Sequence, residues 1–161
     1  WGEWLRAELV QGLPLESSED PDIAILLKKV QLHHHVLLGE PPSVYLPTVT
    51  DDLLERAIGD TYPQIVAHWD EDDDEFNQIL ALCRMCYTLQ YKEIVPKDVA
   101  AEWFISSLQH DDVDDQSTYA LQLMINAYIG QTEPQNWTLF HAELAKLVKV
   151  LSQRLDHYFA A

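Results

Sequence analysis

Residues 69–97 read WDEDDDEFNQILALCRMCYTLQYKEIVPK, an acidic run followed by an apolar run and a closing cation. Apolar side chains recur at three- and four-residue spacing, which predicts a helix with one buried face: Phe76, Ile79, Leu80, Cys83 and Tyr87. A second stripe carries Asp70, Asn77 and Arg84, which line up if the helix begins that early. At the helical rise, Asp74 and Arg84 lie about 15 Å apart along the axis. This face would have a negative and a positive end.

The acidic run at 70–75 has two interpretations. The helix dipole favours each acid near an N-terminus by about 0.3–1 kcal/mol, which accounts for one or two of them. Six neighbouring acids repel one another, and a cationic ligand would relieve that repulsion. Most charge runs are solvated faces, so the residues alone leave both interpretations open.

Composition narrows the class of protein. The chain has 161 residues, is 47% hydrophobic and carries 10 basic against 27 acidic residues, a net charge of −17. These values fit one folded domain that repels nucleic acid and anionic membranes. No apolar run reaches the about 18 residues of a membrane span, so we expect a cytoplasmic protein. The pair Cys83 and Cys86 lies on or beside the apolar stripe and is interpreted as buried thiols.

The other segments also show helical patterns. Asp20 and Pro21 start a helix whose apolar face, including His34 and Leu37, is expected to continue to Gly39. Thr50 caps the next helix, which is either broken at Gly59–Asp60 or kinked at Pro63. The remaining helices begin near Pro96, after the acidic loop at 111–115 and near Asn136. The last of them carries an apolar stripe that predicts a buried face: Trp137, Phe140, Leu144, Leu147, Val148, Leu151, Leu155 and Tyr158. No segment alternates with period two, so we predict an all-α helical bundle of six to seven helices with short connections.

Chemical motifs are scarce. His33, His34 and His35 fan about 100° apart on a helix and cannot easily share one metal. The other histidines have no ligand-like spacing to an acid or a cysteine: His68, His110, His141 and His157. No nucleophile elbow, glycine-rich phosphate loop or zinc-protease motif occurs. The chain alone therefore has no complete catalytic constellation.

Several segments nevertheless resemble the aminoglycoside adenylyltransferases that act on streptomycin and spectinomycin. The closest runs from Lys92 to Trp103 and contains Pro-Lys-Asp-Val-Ala-Ala. Other matching segments are Gly2-Glu3-Trp4, Asp22 to Leu27 with Lys29, Asn77 to Leu82 with Arg84 and Tyr87, and Ala127-Tyr128-x-Gly130-Gln131. This chain departs from the family pattern in its extra acids at 71–73 and in a longer segment between Trp103 and Tyr128.

The resemblance implies a two-domain enzyme that transfers AMP from ATP to a hydroxyl of streptomycin or spectinomycin. The family's N-terminal nucleotidyltransferase domain carries a Gly-Ser motif, paired aspartates that hold magnesium and a glutamate base. None of these is in this chain, which would begin just after them. Residues 1–14 would be the tail end of that domain, and residues 15–161 the C-terminal α-helical substrate-binding domain. The implied partners are this domain, ATP with magnesium, and a cationic antibiotic.

By motif position, the resemblance assigns six residues to ligands. Antibiotic contacts are expected from Trp4, Asp70 and Asp74, and nucleotide contacts from Arg84, Lys97 and Tyr128. Carboxylates suit guanidinium and ammonium groups, and Arg and Lys suit phosphates. In the family, a tryptophan at the position of Trp4 and an acid at that of Asp74 accompany acceptance of streptomycin. No residue of this chain is expected to be catalytic or to bind metal.

Two other functional classes remain open from the sequence. A helical bundle of this size also suits a protein-interaction module. The net charge of −17 would suit an acidic mimic that binds a basic partner. A mimic would spread its acids over one face, whereas here many lie at one helix start.

Overall fold

A computed structural model describes residue 6 and residues 10–12, 20–71, 74–109, 113–133 and 136–160. Across these ranges the regular structure is helical and no strand occurs. The all-α class is thus confirmed. Six α-helices follow one another: α1 Pro21–Leu32, α2 Asp51–His68, α3 Glu75–Tyr91, α4 Lys97–Ser107, α5 Asp115–Tyr128 and α6 His141–Ala160. Short 3-10 helices occupy Pro42–Val44 and Trp137–Phe140.

Helix α3 is the centre of the bundle, and it packs against α2, α4 and α6. Ile79, Leu80 and Cys83 of the predicted apolar face are fully buried, while Phe76 and Tyr87 are half-buried at its ends. Burial on several sides of one helix requires apolar residues all round it, and α3 also buries Leu82, Met85, Cys86 and Leu89.

The C-terminal stripe behaves as predicted. Leu144, Leu147, Val148, Leu151 and Leu155 of α6 are buried. The residues before this helix form a 3-10 turn capped by Asn136, whose side chain accepts from the Thr138 amide at 3.2 Å. Helix α6 closes the core against α3 and α5.

Helix α1 ends earlier than predicted. The helical pattern indicated continuation to Gly39, but the last helical residue is Leu32, and Leu37 is 92% exposed. The consecutive histidines explain the difference, because His33 turns its Nε2 to the Ile94 carbonyl oxygen at 2.7 Å. His34, expected to pack on the apolar stripe, is exposed and lies 3.0 Å through Nδ1 from the Val30 carbonyl oxygen.

Helix α2 is continuous, so the predicted alternative of a break at Gly59–Asp60 is wrong. Pro63 lies inside the helix, where it lacks the amide that would bond to the Gly59 carbonyl one turn earlier. Gly59 instead serves packing, because a Cβ there would stand 3.2 Å from the ring of Phe159 in α6. No helix among the described residues is long and apolar enough to cross a membrane.

Candidate functional site

Asp74 is the residue before α3, but its side chain does not cap the helix backbone. Its carboxylate accepts from Asn77 Nδ2 at 2.8 Å and from Gln78 Nε2 at 2.9 Å. Asp114 shows the usual alternative, since it accepts from the Ser117 amide at 2.8 Å at the start of α5. Two side-chain amides therefore orient Asp74 at the surface.

Lys97 reaches the same place from the neighbouring helix. It is the first residue of α4, directly after Pro96, and its Nζ donates to the Asn77 backbone oxygen at 3.1 Å and to Asn77 Oδ1 at 3.2 Å. The side-chain amide of Asn77 thus links Asp74, which is predicted to contact the antibiotic, to Lys97, which is predicted to contact the nucleotide.

Arg84 lies on the wall of a cavity of about 500 Å³ between α1, α2 and α3. Burial lowers the pKa of its guanidinium, and the nearby Tyr128 partly offsets that effect. Within the described ranges, Arg84 makes no ion pair or hydrogen bond. Because buried cations are normally paired, a half-buried guanidinium without an acid is suited to an anionic ligand.

Lys29 is a further cation at this cavity, on the wall formed by α1. Burial lowers the pKa of Lys97, and repulsion from Arg84 and Lys29 lowers it further, while Asp74 raises it. Two cations thus act on a third, Lys97, in a chain with a net charge of −17. Residue spacing gave no reason to single out Lys29, although it lies in a matching segment, because α1 and α3 line one cavity only in the tertiary structure.

Tyr128, the last residue of α5, is 41% exposed. Its ring centroid lies 6.1 Å from that of Phe76, which stacks on Trp137 at 5.7 Å. Phe140 continues this row of rings 6.3 Å from Trp137. The row carries Tyr128 at one end and leads to the start of α6 at the other.

Asp70 does not share a helix with Asn77 and Arg84, so the predicted seven-residue alignment is wrong. Helix α2 ends at His68 and α3 begins only at Glu75. The chain turns at residues 69–70, where Trp69 is buried with 8% of its surface exposed. Asp70 instead pairs with His141 at 3.0 Å between Oδ2 and Nε2.

Trp4 and the acids Asp72 and Asp73 lie outside the described residues. The described positions give no support to metal binding, since no group of three or more His, Cys, Asp or Glu side chains could hold an ion. The cysteines are buried as predicted, and burial raises the pKa of Cys83 and raises that of Cys86 to about 12. Neither is thus suited to nucleophilic chemistry at neutral pH.

The geometry therefore brings four of the predicted site residues into one region. Arg84 interacts electrostatically with Lys97 and Tyr128, and Lys97 with Asp74. Such a region can bind an anion beside the cavity and a cation at the start of α3. It offers charge and orientation rather than a nucleophile.

Comparison with known proteins finds a family and several relatives that are similar to this chain. Residues 45–154, more than half of the chain, match the family described as aminoglycoside adenylyltransferase, C-terminal domain. A spectinomycin 9-adenylyltransferase of Staphylococcus aureus is 34% identical over 156 residues, 97% of this chain and 57% of that protein. An aminoglycoside (3'') (9) adenylyltransferase of Escherichia coli is 32% identical over 135 residues, 83% of this chain and 49% of that protein.

A solved structure is similar as well. The crystal structure of a spectinomycin adenyltransferase from Enterococcus faecialis, determined with ATP and spectinomycin, superposes with a TM-score of 0.74 at 26% identity. The similarity covers 97% of this chain and 59% of that one. The chain spans about half the length of the relatives that it matches.

Proposed function

The chain belongs to the aminoglycoside adenylyltransferase C-terminal domain family, and on that premise we propose that it is the helical half of an AMP-transferring enzyme. The enzyme takes AMP from ATP and places it on a hydroxyl of streptomycin or spectinomycin, which confers resistance to the antibiotic. A preceding nucleotidyltransferase domain completes the cleft between the two halves. Family membership disfavours the interaction module and the acidic mimic.

The observation that carries the proposal is the contact of Asp74 and Lys97 with the same side chain. Asn77 Nδ2 lies 2.8 Å from Asp74 Oδ1, and Asn77 Oδ1 lies 3.2 Å from Lys97 Nζ. An enzyme that holds a cationic antibiotic beside an anionic nucleotide is well served by a carboxylate and a cationic side chain that lie side by side. A mimic of acidic character would not need the cations.

On the nucleotide side, Arg84 and Lys97 bind phosphate oxygens, and Tyr128 contributes a ring beside them. The residues fit an anionic nucleotide, because Arg84 is half-buried without an acid among the described residues and burial lowers the pKa of both cations. The negative charge of a phosphate would offset the cost of burying these cations and also the repulsion between Lys97 and Lys29. Such positioned cations stabilise the charge that moves onto the leaving pyrophosphate.

On the antibiotic side, Asp70 and Asp74 accept hydrogen bonds from amines or guanidinium groups of the drug. Each carboxylate has a side-chain partner already, but a carboxylate offers about four acceptor positions. Asp74 remains half-buried and Asp70 exposed, so both are accessible. Trp4 would add an aromatic face against the drug.

Magnesium belongs to the other half of the enzyme in this proposal. No group of acids, histidines or cysteines within the described ranges suits a metal ion. When bound, magnesium would neutralise phosphate charge during transfer. The residues of this chain bind and orient the two substrates, and the base that accepts the hydroxyl proton comes from the preceding domain.

The nucleotide assignment is tested by Lys97→Ala and Arg84→Ala in the two-domain enzyme, with ATP limiting. Each variant removes a hydrogen bond to a charged group, about 1.5–3 kcal/mol, so we expect kcat/KM for ATP to fall roughly ten- to hundredfold. Pyrophosphate release gives the rates, and the matched control is Lys149→Ala on the exposed face of α6. Wild-type kinetics in both site variants would refute the assignment.

A further inference from the structure

Asp70 is held in place by a buried neighbour. It follows Trp69, which is the C-terminal cap residue of α2 and is 8% exposed. The Glu71 amide donates to the His68 carbonyl at 3.1 Å, so the chain turns directly around Asp70. This turn fixes the backbone of Asp70, but the carboxylate could still rotate about its side-chain bonds.

His141 restrains that rotation from the other end of the sequence. It is the first residue of α6, and its Nε2 lies 3.0 Å from Asp70 Oδ2. The His141 ring also lies over Trp69, with centroids 5.1 Å apart and planes at 31°. The hydrogen bond from His141 is the largest influence that holds the pKa of Asp70 below its ordinary value.

We propose that His141 is a positioning residue that orients the Asp70 carboxylate toward a cationic group of the antibiotic. The inference rests on the proposed function, in which Asp70 binds the drug. Nε2 donates to one oxygen of Asp70, and the remaining acceptor positions of the carboxylate stay available to an ammonium group. The same contact favours the ionised form of Asp70, which is the form that pairs with an ammonium group.

A purely structural role for His141 makes a different prediction. In that case the ring would matter through its packing on Trp69, and the hydrogen bond would be incidental. The two roles separate by substitution, because His141→Phe keeps a ring and removes the donor, whereas His141→Gln keeps a donor and removes the ring.

The test measures steady-state kinetics with spectinomycin in the two-domain enzyme, with circular dichroism to verify folding. We expect His141→Phe to raise the KM for spectinomycin roughly threefold to tenfold, the range of one hydrogen bond. The kcat and the KM for ATP should stay near wild type, and His141→Gln should restore most of the loss. The control His157→Ala changes an exposed histidine near the far end of α6 and should have no effect.

A double-mutant cycle with Asp70→Asn distinguishes the possible failures. If His141 acts through Asp70, adding His141→Phe to Asp70→Asn changes the KM little further. Additive effects, or loss in His141→Gln with none in His141→Phe, overturn the positioning role. If Asp70→Asn itself leaves the KM for spectinomycin unchanged, the assignment of Asp70 to the antibiotic fails, and the inference fails with it.

Discussion

Asn77 shows how a single amide can hold an acid and a cation side by side. Its Nδ2 can only donate and its Oδ1 can only accept, so contact with Asp74 and with Lys97 sets one orientation of the amide. Gln78 adds a second donor to Asp74 at 2.9 Å. Because neighbours hold the carboxylate before any ligand arrives, less side-chain freedom is lost when a drug binds.

We predict that Asp74→Asn in the two-domain enzyme lowers streptomycin modification far more than spectinomycin modification. Streptomycin is the larger drug and carries two guanidinium groups, so it gains more from this carboxylate. Loss of one charge-assisted contact corresponds to about 1.5–3 kcal/mol, or roughly one to two decades in kcat/KM. Resistance of cells that carry each variant gives an independent measure.

Two further variants delimit the Asp74 prediction. Trp4→Ala should also lower streptomycin modification more than spectinomycin modification, whereas Asp70→Asn should lower the modification of both drugs. An equal loss for both drugs in Asp74→Asn would contradict the specificity role and leave a shared cationic site.

At the scale of helices, the start of α5 is tied to α6 by one acid. Asp114 accepts from the amide and hydroxyl of Ser117 at 2.8 and 2.6 Å and pairs with Lys146 of α6. The hydrogen bond from Lys146 is the main cause that holds the pKa of Asp114 well below its ordinary value, with smaller contributions from Ser117. One ionised side chain thus serves both a helix cap and a contact between helices.

We predict that Asp114 contributes stability that depends on pH. Its folded pKa is depressed, so the contribution is complete above the unfolded pKa of about 4 and is lost progressively as the pH falls toward the folded value. Asn caps a helix nearly as well as Asp, so Asp114→Asn removes mainly the charge.

Urea unfolding of the chain and of Asp114→Asn over a series of pH values measures this effect. The wild type should have the higher midpoint at neutral pH, and the gap should shrink as the pH falls below about 4. A gap that stays constant down to acid pH would show that the charge of Asp114 is not involved.

At the scale of the whole molecule, the net charge of −17 coexists with a local concentration of cations. Lys29, Arg84 and Lys97 come from three different helices, and the cavity brings Lys29 and Arg84 together. The acidic field attracts cations from solution, while the cationic region suits an anion such as phosphate. On the proposed function, these two fields would serve two substrates of opposite charge.

We predict that the 161-residue chain by itself unfolds cooperatively but transfers no AMP. Its apolar core includes fully buried residues from α2 to α6, among them Leu54, Ile79, Phe104, Met124 and Leu151. The magnesium-binding aspartates and the base, however, belong by resemblance to the preceding domain. The measurements are thermal unfolding by circular dichroism and pyrophosphate release with ATP, magnesium and either antibiotic. Turnover at ordinary enzyme rates would show that catalytic groups lie within this chain.

Local patterns in the sequence determined the helical class and most helix starts. Residue spacing predicted the buried face of α6 and one of the buried faces of α3, because burial on one side of a helix requires apolar residues at three- and four-residue intervals. Capping chemistry located the starts at Asp20 and Thr50, whose side chains accept from backbone amides. The last helix was predicted to start near Asn136, but a 3-10 turn intervenes and α6 begins at His141. The family was also recognisable from short motifs, because the residues of each motif are neighbours in the sequence.

The tertiary structure alone decided how the charges are partnered. His141 had no ligand-like spacing to an acid, but folding places it 3.0 Å from Asp70, although 71 positions separate the two residues in the sequence. Lys29 and Arg84 line the same cavity only because α1 packs beside it. The end of α1 was likewise not predicted. His33, the residue after the helix, contacts the Ile94 carbonyl oxygen, which belongs to a segment distant in the sequence. Side-chain periodicity records which face is buried, whereas the partner on that face depends on how distant helices pack.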